Sequence, residues 1–179
     1  ISLFMNSKAH LVSYPVNENK DVNLVCILRK DLNEKKSIEQ LLDEKFFNKN
    51  KHLSSLFNGD LKSWSIYTSL KPIKSILKNV FYIGDAFYTF PPTFAQGASQ
   101  SIESAKELYD LLIENKQNIE NIYFEKRLKK TFMINNRSRF NYFAFHLSNP
   151  VFKIFRNQFL KRLVKHNSFI NSYLGKIYN

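Results

Sequence analysis

The densest chemistry in the chain lies between Asn79 and Leu112. A short apolar run, Val80 to Ile83, ends on Gly84 and Asp85; Pro91 and Pro92 stiffen the loop that follows; Gln96 and Gly97 then open a stretch of helical periodicity. A glycine at a strand's end lets another group approach the backbone closely. Asp85 is an acceptor suited to a sugar-type hydroxyl at the carboxyl end of a strand, where α/β sheets bind ligands. A helix starting at Gly97 points free N–H groups and a positive dipole end into the same crevice. That end stabilises negative charge on a ligand, such as the N1–C2=O edge of a reduced flavin.

The segment GDAFYTFPPTFAQGASQSIESAKEL resembles the second flavin motif of group A flavoprotein monooxygenases, GDAAHxxxPxxGQGxNxxxEDAxxL. Gly84, Asp85, Ala86, Pro92, Gln96, Gly97, Ala98, Glu103, Ala105 and Leu108 fall in register. The resemblance implies FAD as cofactor, with Asp85 on the ribityl chain and Gly97, Ala98 and Ser99 holding the pyrimidine edge of the flavin. Phe87 and Tyr88 replace the usual Ala-His, and Ala95, Ser99 and Ser104 replace Gly, Asn and Asp. Ala95 is similar to a variant common in the salicylate-hydroxylase-like branch. The family's GxGxxG, which takes the pyrophosphate onto a helix N-terminus, is absent, since Gly59, Gly84, Gly97 and Gly175 are the only glycines. The adenosine half of the FAD site is therefore not in this chain, and its missing N-terminal FAD-binding half is an expected partner.

NSKAHLVSYPVNENKDVNLVCILR is similar to the HLVxYPV…NLVxxV hairpin of the same branch, part of its substrate-binding sheet. His10, Val12 and Tyr14 share one face of such a strand. The resemblance implies that His10 deprotonates a phenol, with Tyr14 as its hydrogen-bond partner, an imidazole being poised near neutral pH. Ordinary sheet packing is the competing reading. YFEKRLKK…NNRSRFN resembles the helix that follows the motif in these enzymes, where its residues are structural. The function implied is hydroxylation of a small aromatic substrate with NAD(P)H and O2 through a flavin C4a-hydroperoxide. A ubiquinone-biosynthesis-type hydroxylase, another FAD oxidoreductase at a membrane surface, and a non-catalytic basic binding remnant are the alternatives.

The elements that would position these residues follow from pattern. KAHLVSYPV and DVNLVCILR read as two antiparallel strands joined by the polar turn Asn17 to Asp21. Ser37 to Phe57 suits one or two short helices, Asn58-Gly59-Asp60 a turn, and LKSWSIYTS a strand returning to the sheet. NVFYIGD reads as a buried strand of a parallel sheet. A helix begins near Gly97, with Ala98, Ile102, Ala105, Leu108 and Leu112 forming its apolar stripe. A long helix covers Ile119 to Phe145, and helical turns run from Val151 to Val164. The expected architecture is an α+β fragment of an α/β flavoprotein. It comprises a partial substrate-binding sheet domain (1–75), the last strand and helix of the FAD-binding domain (76–117), and a C-terminal helical region (118–179).

Composition sets the bounds. With 44% hydrophobic residues, 17 Phe and 9 Tyr, the chain can build an apolar core. Cys26, the lone cysteine, allows no internal disulfide and fits a reducing compartment. There is no apolar run of membrane-spanning length and no signal-peptide pattern, and opening on Ile1 suggests a fragment or processed product. The reading is a soluble, cytoplasmic protein, with association at the inner face of a membrane left open. Residues 116–179 carry 13 Lys/Arg against Glu120 and Glu125, so nearly all of the net charge of +12 sits there. Solvated helix faces explain that block, with a membrane surface ranked ahead of nucleic acid. Phe152, Phe155, Phe159 and Leu163 form a stripe expected to pack into the core. His52, His146 and His166 are expected at the surface or in packing, and no metal site is expected.

Overall fold

The computed structural model describes residues 1–29, 62–163 and 165–175. The expected helices and turn at Ser37 to Asp60 lie outside these residues. The described part is an α+β fold: a three-stranded antiparallel sheet, then helices. The chain divides into two compact units, Ile1–Ser65 with Ala144–Arg156, and Ile66–Phe143 with Asn157–Asn179.

In the first unit, β1 (Ser2–Met5), β2 (Ala9–Val16) and β3 (Asp21–Leu28) pair in sequence order, with β2 central. The register sets His10 opposite Ile27, Leu11 opposite Cys26 and Tyr14 opposite Asn23. The turn Asn17–Asn19 has three consecutive positive φ angles, 49°, 56° and 69°. Two of those residues are Asn, which tolerates the left-handed region better than most side chains. Asn17 Nδ2 also donates to Asp21 Oδ2 at 2.6 Å, closing the turn. Ala9, His10 and Leu11 are all buried, so β2 is covered on both faces at that end.

The second unit carries α1 (Gly97–Ile113) and most of α2 (Ile119–Phe145). α3 (Pro150–Leu163) is followed by the short α4 (Asn167–Ile170) and a π-helical turn, Asn171–Gly175. The core gathers Phe87, Tyr88, Phe90 and Phe94 around the fully buried Ile134 of α2. Phe87 and Tyr88, two of the five departures from the flavin motif, are thus core residues. Phe87 meets Phe124 and Tyr123 edge-on at ring-centroid distances of 5.8 and 6.3 Å.

Two expected strands do not form among the described residues. Residues 62–69 make no ladder. Ser69 N donates to Thr89 O (3.0 Å) and Ile73 N to Phe87 O (3.2 Å), but Pro72 between them has no N–H to continue the pairing. Residues 80–83 are likewise unpaired; Ile83 is extended (φ −124°, ψ 156°), yet no described strand lies beside it. An apolar run becomes a strand only with a hydrogen-bonding neighbour. Val80, Tyr82 and Ile83 are accordingly exposed.

Candidate functional site

The motif residues assemble around the start of α1. Gly84, Asp85 and Ala86 form a 3-10 turn, with Phe87 N and Tyr88 N both donating to Gly84 O at 3.0 Å. Pro92, Thr93 and Phe94 form a second one, whose end is set by Ala95 in the left-handed region (φ 51°). Thr93 Oγ1 donates to Ser138 O (2.5 Å) and Asn141 Nδ2 to Thr93 O (3.2 Å), tying the proline loop to α2. The loop's position is therefore fixed from below.

The two motif glycines serve different ends. At Gly84 φ is +54°, and a Cβ there would lie 2.3 Å from Ser101 Oγ and 2.9 Å from Ser101 Cβ. The group that approaches Gly84 is the helix itself, and Gly84 N donates to Ser104 Oγ at 3.1 Å. At Gly97, among the described residues, no atom beyond its chain neighbours and its own helix backbone lies within 4 Å of a would-be Cβ, and no side chain caps the helix. Its first intrahelical bond runs from Gln100 N to Gln96 O (2.9 Å). The amides of Gly97, Ala98 and Ser99 precede that bond, so they are the orphan donors of the helix start. Gln96 is buried with its Oε1 lacking any hydrogen-bond donor. Asp85 and Pro92 are exposed, and no described cation or side-chain donor meets the Asp85 carboxylate. An open glycine, uncapped amides, an orphan acceptor and a free carboxylate fit a ligand with one anionic edge and several hydroxyls. A shallow groove lined by Lys74, Phe81, Tyr82, Tyr123 and Phe124 among others lies beside the segment leading into Gly84.

The face that α1 buries corrects the sequence reading. Ala98, Ile102, Ala105 and Leu112 are exposed, Ile102 at 73%. Gln100 and Ser104 are buried instead, together with Leu111. The reason is Arg127 of α2, itself 2% exposed. Its Nη2 donates to Gln100 Oε1 (2.7 Å), and its Nη1 lies 3.4 Å from Glu107 Oε2 and 3.6 Å from Glu103 Oε1. Gln100 Nε2 donates to Glu103 Oε2 (2.8 Å), and Lys130 Nζ reaches Glu103 Oε1 at 2.9 Å. A buried guanidinium must meet acceptors, and that demand turns the polar stripe inward. Tyr123 adds a donor to Tyr82 O (3.0 Å), and burial pushes its phenol above the usual range.

The expected base lies in the first unit. His10 is 1% exposed, and its Nδ1 is 3.2 Å from His146 Nε2, with the Phe145 ring edge-on at 5.3 Å. His146, read from sequence as surface or packing without a convincing partner, is buried as the partner of His10. Burial, then the neighbouring His146, lowers the His10 pKa to about 4. The imidazole is thus neutral at neutral pH: able to accept a hydrogen bond, and protonated only in acid. Tyr14 shares its face of β2 but not its hydrogen bonds, since the Tyr14 hydroxyl accepts from Asn23 Nδ2 at 2.5 Å. Cys26 is pushed up to about 11 by burial, far from a reactive thiolate. Among the described residues no three His, Cys, Asp or Glu side chains are grouped to hold a metal.

No family model matches the chain, and no curated protein matches it. Local geometry is what bears on function.

Proposed function

We propose that this chain supplies the flavin-closing part of an FAD-dependent monooxygenase that hydroxylates an aromatic ring with NAD(P)H and O2. The observation that carries the reading is the contrast between the two glycines. Gly84 is required by packing within the chain, whereas Gly97 faces open space at an uncapped helix start. FAD, when bound, would supply the hydride and oxygen chemistry. The chain's own share is binding and electrostatics. Asp85 accepts hydrogen bonds from hydroxyls of the cofactor's sugar-like chain. The amides of Gly97, Ala98 and Ser99, with the helix dipole behind them, stabilise negative charge on a pyrimidine-type edge. Pro92 presents a rigid wall, Ala86 fixes the turn behind Asp85, and Gln96 offers an acceptor held in place by burial.

The test is flavin content of the full-length gene product, read from its visible absorbance. Asp85→Ala should weaken FAD binding about tenfold, the loss of one or two hydrogen bonds to a carboxylate. Gly97→Leu should abolish flavin uptake while leaving the melting temperature unchanged, because among the described residues nothing beyond its own helix and chain neighbours would meet the added Cβ. A full-length protein that takes up no flavin, or a Gly97→Leu variant that binds it normally, would overturn the reading.

A further inference from the structure

α3 turns its faces the opposite way from the sequence expectation. Phe152, Phe155 and Phe159, expected in the core, are 59%, 65% and 58% exposed, and Val151 and Ile154 are exposed beside them. At 100° per residue, all five fall within one outward arc of about 160°, which Gln158 and Arg162 share and which Lys161 borders at one edge. The inward arc holds Lys153, Arg156, Leu160 and Leu163. Arg156 accounts for the inversion: its Nη1 donates to the carbonyls of Ala144 (3.0 Å) and Phe145 (3.2 Å), at the end of α2. Those last-turn carbonyls have no intrahelical donors, and a cation there is favoured by the helix dipole as well. With a cation drawn inward, the aromatic stripe is left outside.

The chemistry of that outward arc selects one kind of surface. Five apolar side chains, three of them aromatic, outnumber its two cations. Lys161 and Arg162 stand at its C-terminal end, and Lys165 follows. From Lys126 to the end of the chain there is no Asp or Glu. A nucleic-acid face would reverse that ratio, with cations dominating. Aromatic residues flanked by Lys and Arg match the boundary of an anionic bilayer, where rings enter the headgroup–acyl zone and cations meet phosphates. No described helix is long and apolar enough to cross a membrane, so contact of this kind lies in the interface plane. We infer that the outward face of α3 docks on an anionic lipid surface through Phe152, Phe155 and Phe159, with Lys161 and Arg162 on the headgroups. The inference stands apart from the cofactor reading, because lipid binding needs no flavin.

The experiment is co-sedimentation of the full chain with phosphatidylcholine vesicles, with and without phosphatidylglycerol. Binding is expected only to vesicles containing phosphatidylglycerol, and should weaken as salt is raised. Replacing the three aromatics together (Phe152→Ser, Phe155→Ser, Phe159→Ser) should weaken binding on the order of a hundredfold. The pair Lys161→Gln, Arg162→Gln should weaken it about tenfold. These side chains are exposed, so circular dichroism of both variants should match the parent. Absence of vesicle binding overturns the inference, as does binding that survives the triple aromatic change. Tight binding to a single-stranded oligonucleotide without vesicle binding would assign the face to nucleic acid. Self-association in solution abolished by the aromatic change, without vesicle binding, would assign it to a second copy.

Discussion

His10 shows how a residue with chemical promise is claimed by its surroundings. The sequence places an imidazole on a strand beside a tyrosine, which suggests a base and its partner. The fold surrounds it instead with His146 and Phe145, more than a hundred residues away along the chain. No local pattern announces that contact, because side-chain spacing speaks only for neighbours on one element. The consequence for stability has a definite sign. The folded-state pKa of about 4 lies below the ordinary 6.5, so between those values the unfolded chain binds more protons. The stability tied to a neutral His10 is complete above pH 6.5, declines as pH falls, and is lost below pH 4. At full extent that is about 3 kcal/mol. Urea denaturation at a series of pH values should show this decline in the parent, and His10→Gln should remove that part of it. A variant whose stability falls with acid as steeply as the parent's would show that His10 is not the group responsible.

Helices were the legible elements, and their orientation was not. Period and composition locate α1 from Gly97, α2 over Ile119–Phe145 and α3 to within a residue or two, and the Asn17–Asp21 turn places β2 and β3. The faces that α1 and α3 bury differ from the sequence expectation because amphipathic reasoning assumes that the apolar stripe turns inward. In α1 the buried residues include Gln100 and Ser104, and in α2 they include Arg127, Thr131 and Ser138, while Phe132, Phe140 and Phe143 stand outside. One buried cation with acceptors on the facing helix outweighs several apolar contacts, since leaving it unpaired costs more than leaving a leucine wet. The two unpaired apolar runs failed for a related reason, that a strand is defined by a partner no single segment reveals. Arg127 is therefore the test of α1–α2 packing. Arg127→Ala should destabilise the protein by about 3 kcal/mol in urea denaturation, since it strips donors from Gln100, Glu103 and Glu107 at once. Glu103→Gln should cost under about 1 kcal/mol, its carboxylate being partly solvated and shared with Lys130. Equal losses for the two variants would place the weight of the packing elsewhere.

For the molecule as a whole, two properties pull in opposite directions. The exposed apolar side chains come in runs and stripes: Val80, Tyr82 and Ile83 ahead of the motif, Ile102, Tyr109 and Leu112 on α1, and the phenylalanines of α2 and α3. Exposed apolar groups of that kind favour association. Against it stands a net charge of +12, of which +11 belongs to residues 116–179, and like charge keeps copies apart. Salt decides between the two. Raising ionic strength from about 0.1 M to about 1 M shortens the screening length from about 10 Å to about 3 Å and leaves apolar attraction in place. The chain should therefore sediment as a monomer at low salt and associate as salt rises, the reverse of its expected behaviour toward anionic vesicles. Paired changes Ile102→Ser and Leu112→Ser, both at exposed positions of α1, should move the onset of association to higher salt without altering the melting temperature. A chain that stays monomeric throughout the salt range would show that its apolar stripes are too broken to act as one surface. Association strongest at low salt would make attraction between opposite charges, rather than apolar contact, the force that joins the copies.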